Sequence, residues 1–178
     1  MTKRRAVFLD RDGTLIKAVP RPGIYPIKKP SAPWRMREVR MEPRLEEAMK
    51  IFKDLGYLRV MITNQPDVAY GYLPLERWQK IFTKVLAIAR PDWAYACPHP
   101  KQAGCACRKP KPGMLLQAAD DLNIDLSRSF MIGDTDADIN AGKAAGCKTI
   151  LIAREYNKEW REQADFLAPS LLDATVIV

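Results

Sequence analysis

Histidine is almost missing from this chain of 178 residues, which holds one, and cysteine is scarce at four. Long apolar runs are missing too. None approaches the roughly 20 residues that a membrane helix needs, which excludes a helical membrane span. No internal repeat and no low-complexity tract is present, so a solenoid or a disordered linker array is excluded. Acidic residues are in deficit, 21 against 29 Lys and Arg, for a net charge of +8. The basic start Lys3-Arg4-Arg5 is followed by an apolar run too short for a secretion signal, and the expected location is cytoplasmic. With 47% apolar and 28% charged residues, the expectation is one globular domain over residues 1–178.

The charge is unevenly placed. Residues 1 to 43 hold eleven Lys and Arg and four Asp and Glu. A positive rim that draws in an anionic substrate, a nucleic-acid surface, or a solvated basic segment would each fit that excess. Pro20, Pro22, Pro26, Pro30, Pro33 and Pro43 forbid a long helix there, so 16–43 reads as a basic loop or flap with room for a short strand pair. Gly23 and Tyr25 in this loop are candidate substrate contacts.

Ala6-Val7-Phe8-Leu9 is a short buried strand that ends at Asp10-Arg11-Asp12-Gly13-Thr14. Two acids separated by one residue beside a turn can aim one side chain and one backbone carbonyl at a hard cation, leaving the second side chain for proton transfer. That division of labour suits phosphoryl transfer. Further along, Arg44–Leu55, Leu75–Ala89 and Met114–Leu122 carry helical apolar spacing, as does Ile139–Ala145 after its capping acid. They alternate with strands at Leu58–Ile62, Asp92–Ala96, Ser129–Ile132 and Gly146–Ile152. The second strand runs into Thr63-Asn64-Gln65. Residues 154–165 read as a charged surface helix, and Ala174–Val178 as an edge strand.

Cys97, His99, Cys105 and Cys107 fall within eleven residues. In a reducing compartment such clustering points to zinc before a disulfide, and Cys3His is a closed, structural set. Arg108-Lys109-Pro110-Lys111-Pro112 follows directly, so a pinned loop would present its cations at a set position, with Lys109 inward and Lys111 in solvent. Asp134, Asp136 and Asp138 concentrate negative charge after the fourth strand, where a divalent cation relieves their repulsion. Asp134 is the expected direct ligand, Asp138 sits one helical turn on, and Asp136 caps the helix. Cys147 reads as a small core residue.

Asp10-Arg11-Asp12-Gly13-Thr14, Thr63 after the second strand, Lys109-Pro110-Lys111-Pro112 and Gly133-Asp134 with Asp138 resemble, in order, the four motifs of the haloacid dehalogenase superfamily of aspartyl phosphatases. The cysteine loop leading into Arg108-Lys109 is similar to its heptose bisphosphate and histidinol phosphate phosphatase branch. The resemblance implies a Rossmannoid α/β/α sandwich with a central parallel sheet, no large cap domain and a zinc-pinned loop. It further implies Asp10 as nucleophile, Asp12 as acid and base, Thr63 and Lys109 as phosphate holders, and Arg108 with Asn64 and Gln65 as substrate contacts. Magnesium would be held by Asp10, the Asp12 carbonyl and Asp134, with Asp138 behind them, and zinc by the Cys3His set. A heptose bisphosphate is the first expected substrate and histidinol phosphate the second. A 3'-phosphorylated nucleic-acid end is another class, and a zinc-stabilised scaffold is the non-enzyme reading, although no catalytic residue is missing. A monomer is expected.

The departures from that branch lie around the substrate. Five residues separate His99 from Cys105, Pro66-Asp67-Val68-Ala69-Tyr70-Gly71 replaces the usual Ser-Gly-Ile-Ala-Arg-Gly after Gln65, and Thr135 stands where a lysine is usual. The segment Pro20 to Pro43 is longer than usual.

Overall fold

A computed structural model of the chain describes residues 2–22 and 29–178. β1 (Ala6–Leu9) is apolar and buried at every position, the pattern of a strand covered on both faces. With β2 (Leu58–Asn64), β3 (Trp93–Cys97), β4 (Phe130–Gly133), β5 (Lys148–Ile152) and β6 (Phe166–Ala168) it forms a parallel sheet in the order β3-β2-β1-β4-β5-β6. Parallel neighbours need crossovers. α1 (Leu45–Asp54), α2 (Leu75–Ala89), α3 (Gly113–Leu122) and α4 (Asp136–Ala145) provide four of them.

Successive strand residues face opposite ways and so feed two cores. Val7, Leu9 and Met61 pack with Leu45 and Phe52 of α1 and Ile81 and Val85 of α2. Phe8, Val60 and Met131 pack on the other face with Leu115 of α3 and Ala141 of α4. This is the expected three-layer sandwich, and among the described residues no large cap domain covers it. At Gly142 of α4 an added Cβ would lie 2.6 Å from Met131 Cβ, so the glycine sets how closely that helix approaches the sheet.

The chain lays down β1, β2 and β3 outward in one direction, then returns past β1 to place β4 on its other side. The carboxyl ends of β1 and β4 therefore flank the switch point, where open α/β sheets form their clefts. Of the strand pair expected in 16–43, the described residues show isolated bridges, Val19 to Ser31 and Ile16 to Met41.

Two other expectations are corrected. Ala174–Val178 forms no strand. Instead Ser170 caps the short helix α5 (Leu171–Ala174), accepting from the Asp173 backbone N–H, and β6 takes the sheet edge in its place. Residues 155–163 form 3-10 turns with a break at Asn157, whose φ of −126° leaves the helical range. The Asn157 side chain accepts from the Arg154 backbone N–H and donates to the Asp134 and Ile152 carbonyls, competing with helical bonding. No helix among the described residues is long and apolar enough to cross a membrane.

Candidate active site

Asp10 leaves β1 at the switch point and meets Lys109, which arrives from the loop after β3. Lys109 is buried, and its Nζ donates to Asp10 Oδ1 at 2.7 Å, to Asp138 Oδ1 at 2.5 Å and to the Ile62 carbonyl at 2.8 Å. Burial alone would lower the lysine pKa, but the facing Asp10 and Asp138 outweigh it and hold the ammonium above its ordinary value. For Asp10 the balance falls the other way. Burial, with Asp138 and Asp12 adding repulsion, outweighs Lys109 and raises its carboxyl to about 7.

Asp12 lies at the cleft wall with both oxygens engaged. The Arg11 guanidinium donates to it from Nε and Nη2 at 3.1–3.2 Å, and Gln65 Nε2 donates to its Oδ2 at 2.7 Å. Gln65 also donates to Thr63 Oγ1 at 2.9 Å and accepts from Trp78 Nε1 at 3.0 Å. Gln65, expected at the substrate, is buried and bonded at both ends of its amide, which links it to Asp12, Thr63 and Trp78. It also gives Trp78 a polar task, where helical spacing alone suggested core.

Asn64 binds the main chain of Lys109 twice, accepting from its N–H at 3.1 Å and donating to its carbonyl at 3.0 Å. Its side chain fixes the lysine while its edge lines the cleft. Thr63 is fully buried at the end of β2. Arg108 lines the cleft, with Nη1 donating to the His99 carbonyl at 3.1 Å. Gly23 and Tyr25 lie outside the described residues. Lys111 is exposed, as expected.

Asp134 follows β4, and its Oδ1 is buried with no hydrogen-bond partner. Its Oδ2 accepts from the Tyr156 hydroxyl at 2.5 Å, and its carbonyl accepts from Asn157. Burial first, then Asp10 and Asp138, push the Asp134 carboxyl well up. Asp138 closes a capping box with Thr135, its Oδ2 accepting from the Thr135 N–H and hydroxyl, so Thr135 rather than Asp136 caps α4. Gly13 has φ +94°, and a Cβ there would fall 2.1 Å from Asp134 Oδ2. Only glycine lets the β1 turn pass so close to this acid. Arg154 secures the turn from behind, donating to the Gly13 carbonyl and to Glu42. The sequence reading missed Arg154, Tyr156 and Asn157. Their one signal is a set of uncharged residues, Tyr156, Asn157 and Trp160, within a stretch rich in charge.

Asp10, Asp134 and Asp138 each offer an oxygen within 4.8 Å of the others. One ammonium faces three buried acids, and the unpartnered Asp134 Oδ1 is an acceptor waiting for a cation, so the set fits a hard divalent ion. Cys97, His99, Cys105 and Cys107 also converge, with S···S and S···Nδ1 contacts of 3.2–3.6 Å. A tetrahedron of bonds of about 2.3 Å has edges of about 3.7 Å, so the four donors fit one zinc ion. Burial pushes the Cys105 thiol up, but sulfur contacts from Cys107 and Cys97 outweigh it and bring the group to about 7. Cys147 is buried away from this set, and burial raises its thiol to about 12.

A buried carboxylate, a lysine and an acid set at the switch point of a parallel sheet define a haloacid dehalogenase-type phosphoryl hydrolase. The HAD-hydrolase-like family matches residues 106–174. The chain is 34% identical to the D-glycero-beta-D-manno-heptose-1,7-bisphosphate 7-phosphatase of Pasteurella multocida, covering 98% of this chain and 97% of that one. It is 35% identical to the enzyme of the same name from Haemophilus ducreyi, covering 96% of each. The crystal structure of D,D-heptose 1,7-bisphosphate phosphatase from B. bronchiseptica, complexed with magnesium and phosphate, superposes with a TM-score of 0.80 at 23% identity over 97% of both chains, a likeness of fold. The chain belongs to this family of phosphatases within the haloacid dehalogenase superfamily. Such phosphatases use Mg2+, which the three acids can accept, and the Cys3His cluster can hold zinc.

Proposed function

We propose that this chain removes the 7-phosphate of D-glycero-D-manno-heptose 1,7-bisphosphate through an aspartyl-phosphate on Asp10, acting as a cytoplasmic monomer. The observation that carries the reading is the meeting of Asp10, Lys109 and Asp12 around one cleft in a chain that matches the heptose bisphosphate phosphatases over nearly its whole length.

Asp10 attacks phosphorus in line with the departing sugar oxygen. Asp12, two residues on and steered by Arg11 and Gln65, gives that oxygen a proton and then takes one from the water that cleaves the acyl-phosphate. Lys109 stays charged and offsets the phosphoryl oxygens without shifting position, because Ile62 and Asp138 already hold it. Thr63 accepts from Gln65 and so keeps its own hydroxyl hydrogen for a phosphoryl oxygen. Bound magnesium, held by Asp10, the Asp12 carbonyl and Asp134 with Asp138 behind, would supply further charge to the transferring group. Arg108, tied to the zinc loop through His99, is placed to receive the rest of the substrate.

Phosphate release with magnesium tests this, measured on both anomers of the heptose 1,7-bisphosphate, histidinol phosphate, other sugar phosphates and a 3'-phosphorylated oligonucleotide, each beside D10N. Selective release from a heptose bisphosphate, lost in D10N, is expected. Preference for histidinol phosphate or for the oligonucleotide would replace the proposed substrate.

A further inference from the structure

The basic excess of the first 43 residues is not one patch. Arg21 is spent beside the cleft, bound to Glu38 and stacked 4.1 Å from the Trp34 ring centroid. Lys3, Arg4 and Arg5 precede β1 and therefore lie at the opposite, amino-terminal edge of the sheet. Other strands repeat the pattern. In sheet order, Arg90 precedes β3, Lys53 precedes β2, Arg4 precedes β1, Arg128 precedes β4 and Lys148 opens β5, and all five side chains are exposed. With neighbouring strands about 4.8 Å apart, five of them carry this row of cations across about 20 Å.

The row runs along two grooves. One, of about 450 Å³, is lined by Lys3, Arg4, Arg5, Lys53 and Arg128. The other, of about 340 Å³, meets it at Lys53 and continues past Lys50, Arg59 and Arg90. The acids nearby are fewer: Asp92 pairs with Arg59 and also faces Lys53, Asp54 pairs with Lys50, Asp125 faces Lys3 and Arg128, Asp165 faces Lys148, and Glu46 stands at the rim. Lys3, Arg4, Lys53, Arg90, Arg128 and Lys148 make no ion pair among the described residues. A line of cations that outnumber the acids beside them keeps a net positive field and attracts a polyanion of matching shape.

We propose that this edge binds the phosphodiester backbone of a single-stranded nucleic acid. The site is narrow, being the edge of one sheet between its two helix layers, which suits a strand better than a plane. Exposed aromatics mark its ends: Trp93, 52% exposed, opens β3 beside Arg90, and Phe166, 38% exposed, opens β6. Their exposed ring surface is where bases would stack. The length of the strands separates this edge from the catalytic cleft, so the proposal does not depend on the identity of the phosphatase substrate.

The test is fluorescence anisotropy with a 15-nucleotide oligo(dT), labelled on an internal base and bearing hydroxyls at both ends so that the cleft has no phosphomonoester to take. For the magnesium- and zinc-loaded chain, binding is expected to weaken between about 50 and 200 mM salt with a log–log slope near −3, at roughly −0.7 for each phosphate contacted. The triple variant K53Q/R90Q/R128Q should bind at least tenfold more weakly at the lower salt with a slope flatter by about 2, while phosphate release is unchanged. Arg90 has φ +46°, so K53Q/R128Q keeps the test if the triple variant folds poorly. No binding at low salt, binding indifferent to these substitutions, competition by phosphatase substrate, or binding to anionic vesicles in place of the oligonucleotide would each overturn the proposal.

Discussion

The two clusters fit for metal are built in opposite ways. Asp10, Asp134 and Asp138 stand at the ends of β1 and β4 and in the first turn of α4, with the Lys109 ammonium between two of them, so the sheet supplies their geometry and a resident cation supplies part of their charge. Cys97, His99, Cys105 and Cys107 sit on the end of one strand and a loop of 3-10 turns, and their sulfurs meet one another and an imidazole with no ammonium between them. The lesson is a division of responsibility. A sheet can hold the geometry of the acid set without an ion, whereas a loop of short 3-10 turns would take much of its rigidity from the ion it can bind.

The largest expected effect breaks the first cluster without touching the second. D10N should lower phosphate release at least about 10⁴-fold, as loss of a nucleophile does, while circular dichroism and zinc content stay as in the parent. Next, Lys109→Met removes the cation shared by Asp10 and Asp138 and should cost about 10²–10³-fold in kcat. Its melting temperature, measured with magnesium, should fall as well, because two buried acids lose their partner.

Stripping zinc with a chelator, or C107S, tests the other half of the comparison. Hydrogen exchange should quicken across 97–108 and stay unchanged in β1 and β4, with activity down about tenfold and a melting temperature lower by a few degrees. Loss of protection in β1 would show that the two sites share one support.

The smallest effect concerns pH. In the metal-free fold the Asp10 carboxyl is raised from 3.8 to about 7. A raised group contributes stability that is full below the unfolded value and is lost as pH rises through the folded one. The metal-free protein should therefore weaken between about pH 4 and pH 7, and magnesium, which favours the carboxylate, should offset the loss. The rise in melting temperature on adding magnesium is expected to be larger at pH 8 than at pH 5.5 by about 3–6 °C, at roughly 2–4 °C per kcal/mol. A larger rise at pH 5.5 would remove Asp10 from the binding step.

What the sequence disclosed follows from where period and composition carry information. Three strand-end motifs, the Lys109 motif in its loop, the Cys3His set and the buried strand Ala6–Leu9 are legible because apolar runs and rare residue types stand out against background. The supports behind them are not. Asn64 and Gln65 read as cleft residues from their position at the end of β2, and only the fold shows that Gln65 turns toward Asp12 and that Asn64, at the cleft, also binds the Lys109 main chain. Tyr156 and Asn157 sit in a run rich in charge that reads as surface, because a break in a 3-10 segment has no period to detect. The final strand was misplaced for a related reason: Ala174–Val178 is apolar enough for an edge strand, but the Ser170 cap fixes the helical turn first.

The two hydrogen bonds from Asn64 end on the backbone of Lys109, whatever precedes it in the chain. They make the stretch from Cys97 to Cys107 a replaceable cassette. Residues added or removed between His99 and Cys105 would reshape the loop that Arg108 leans on and leave the ammonium where it is. In this scaffold the loop can change length while the cation of the cleft keeps its place.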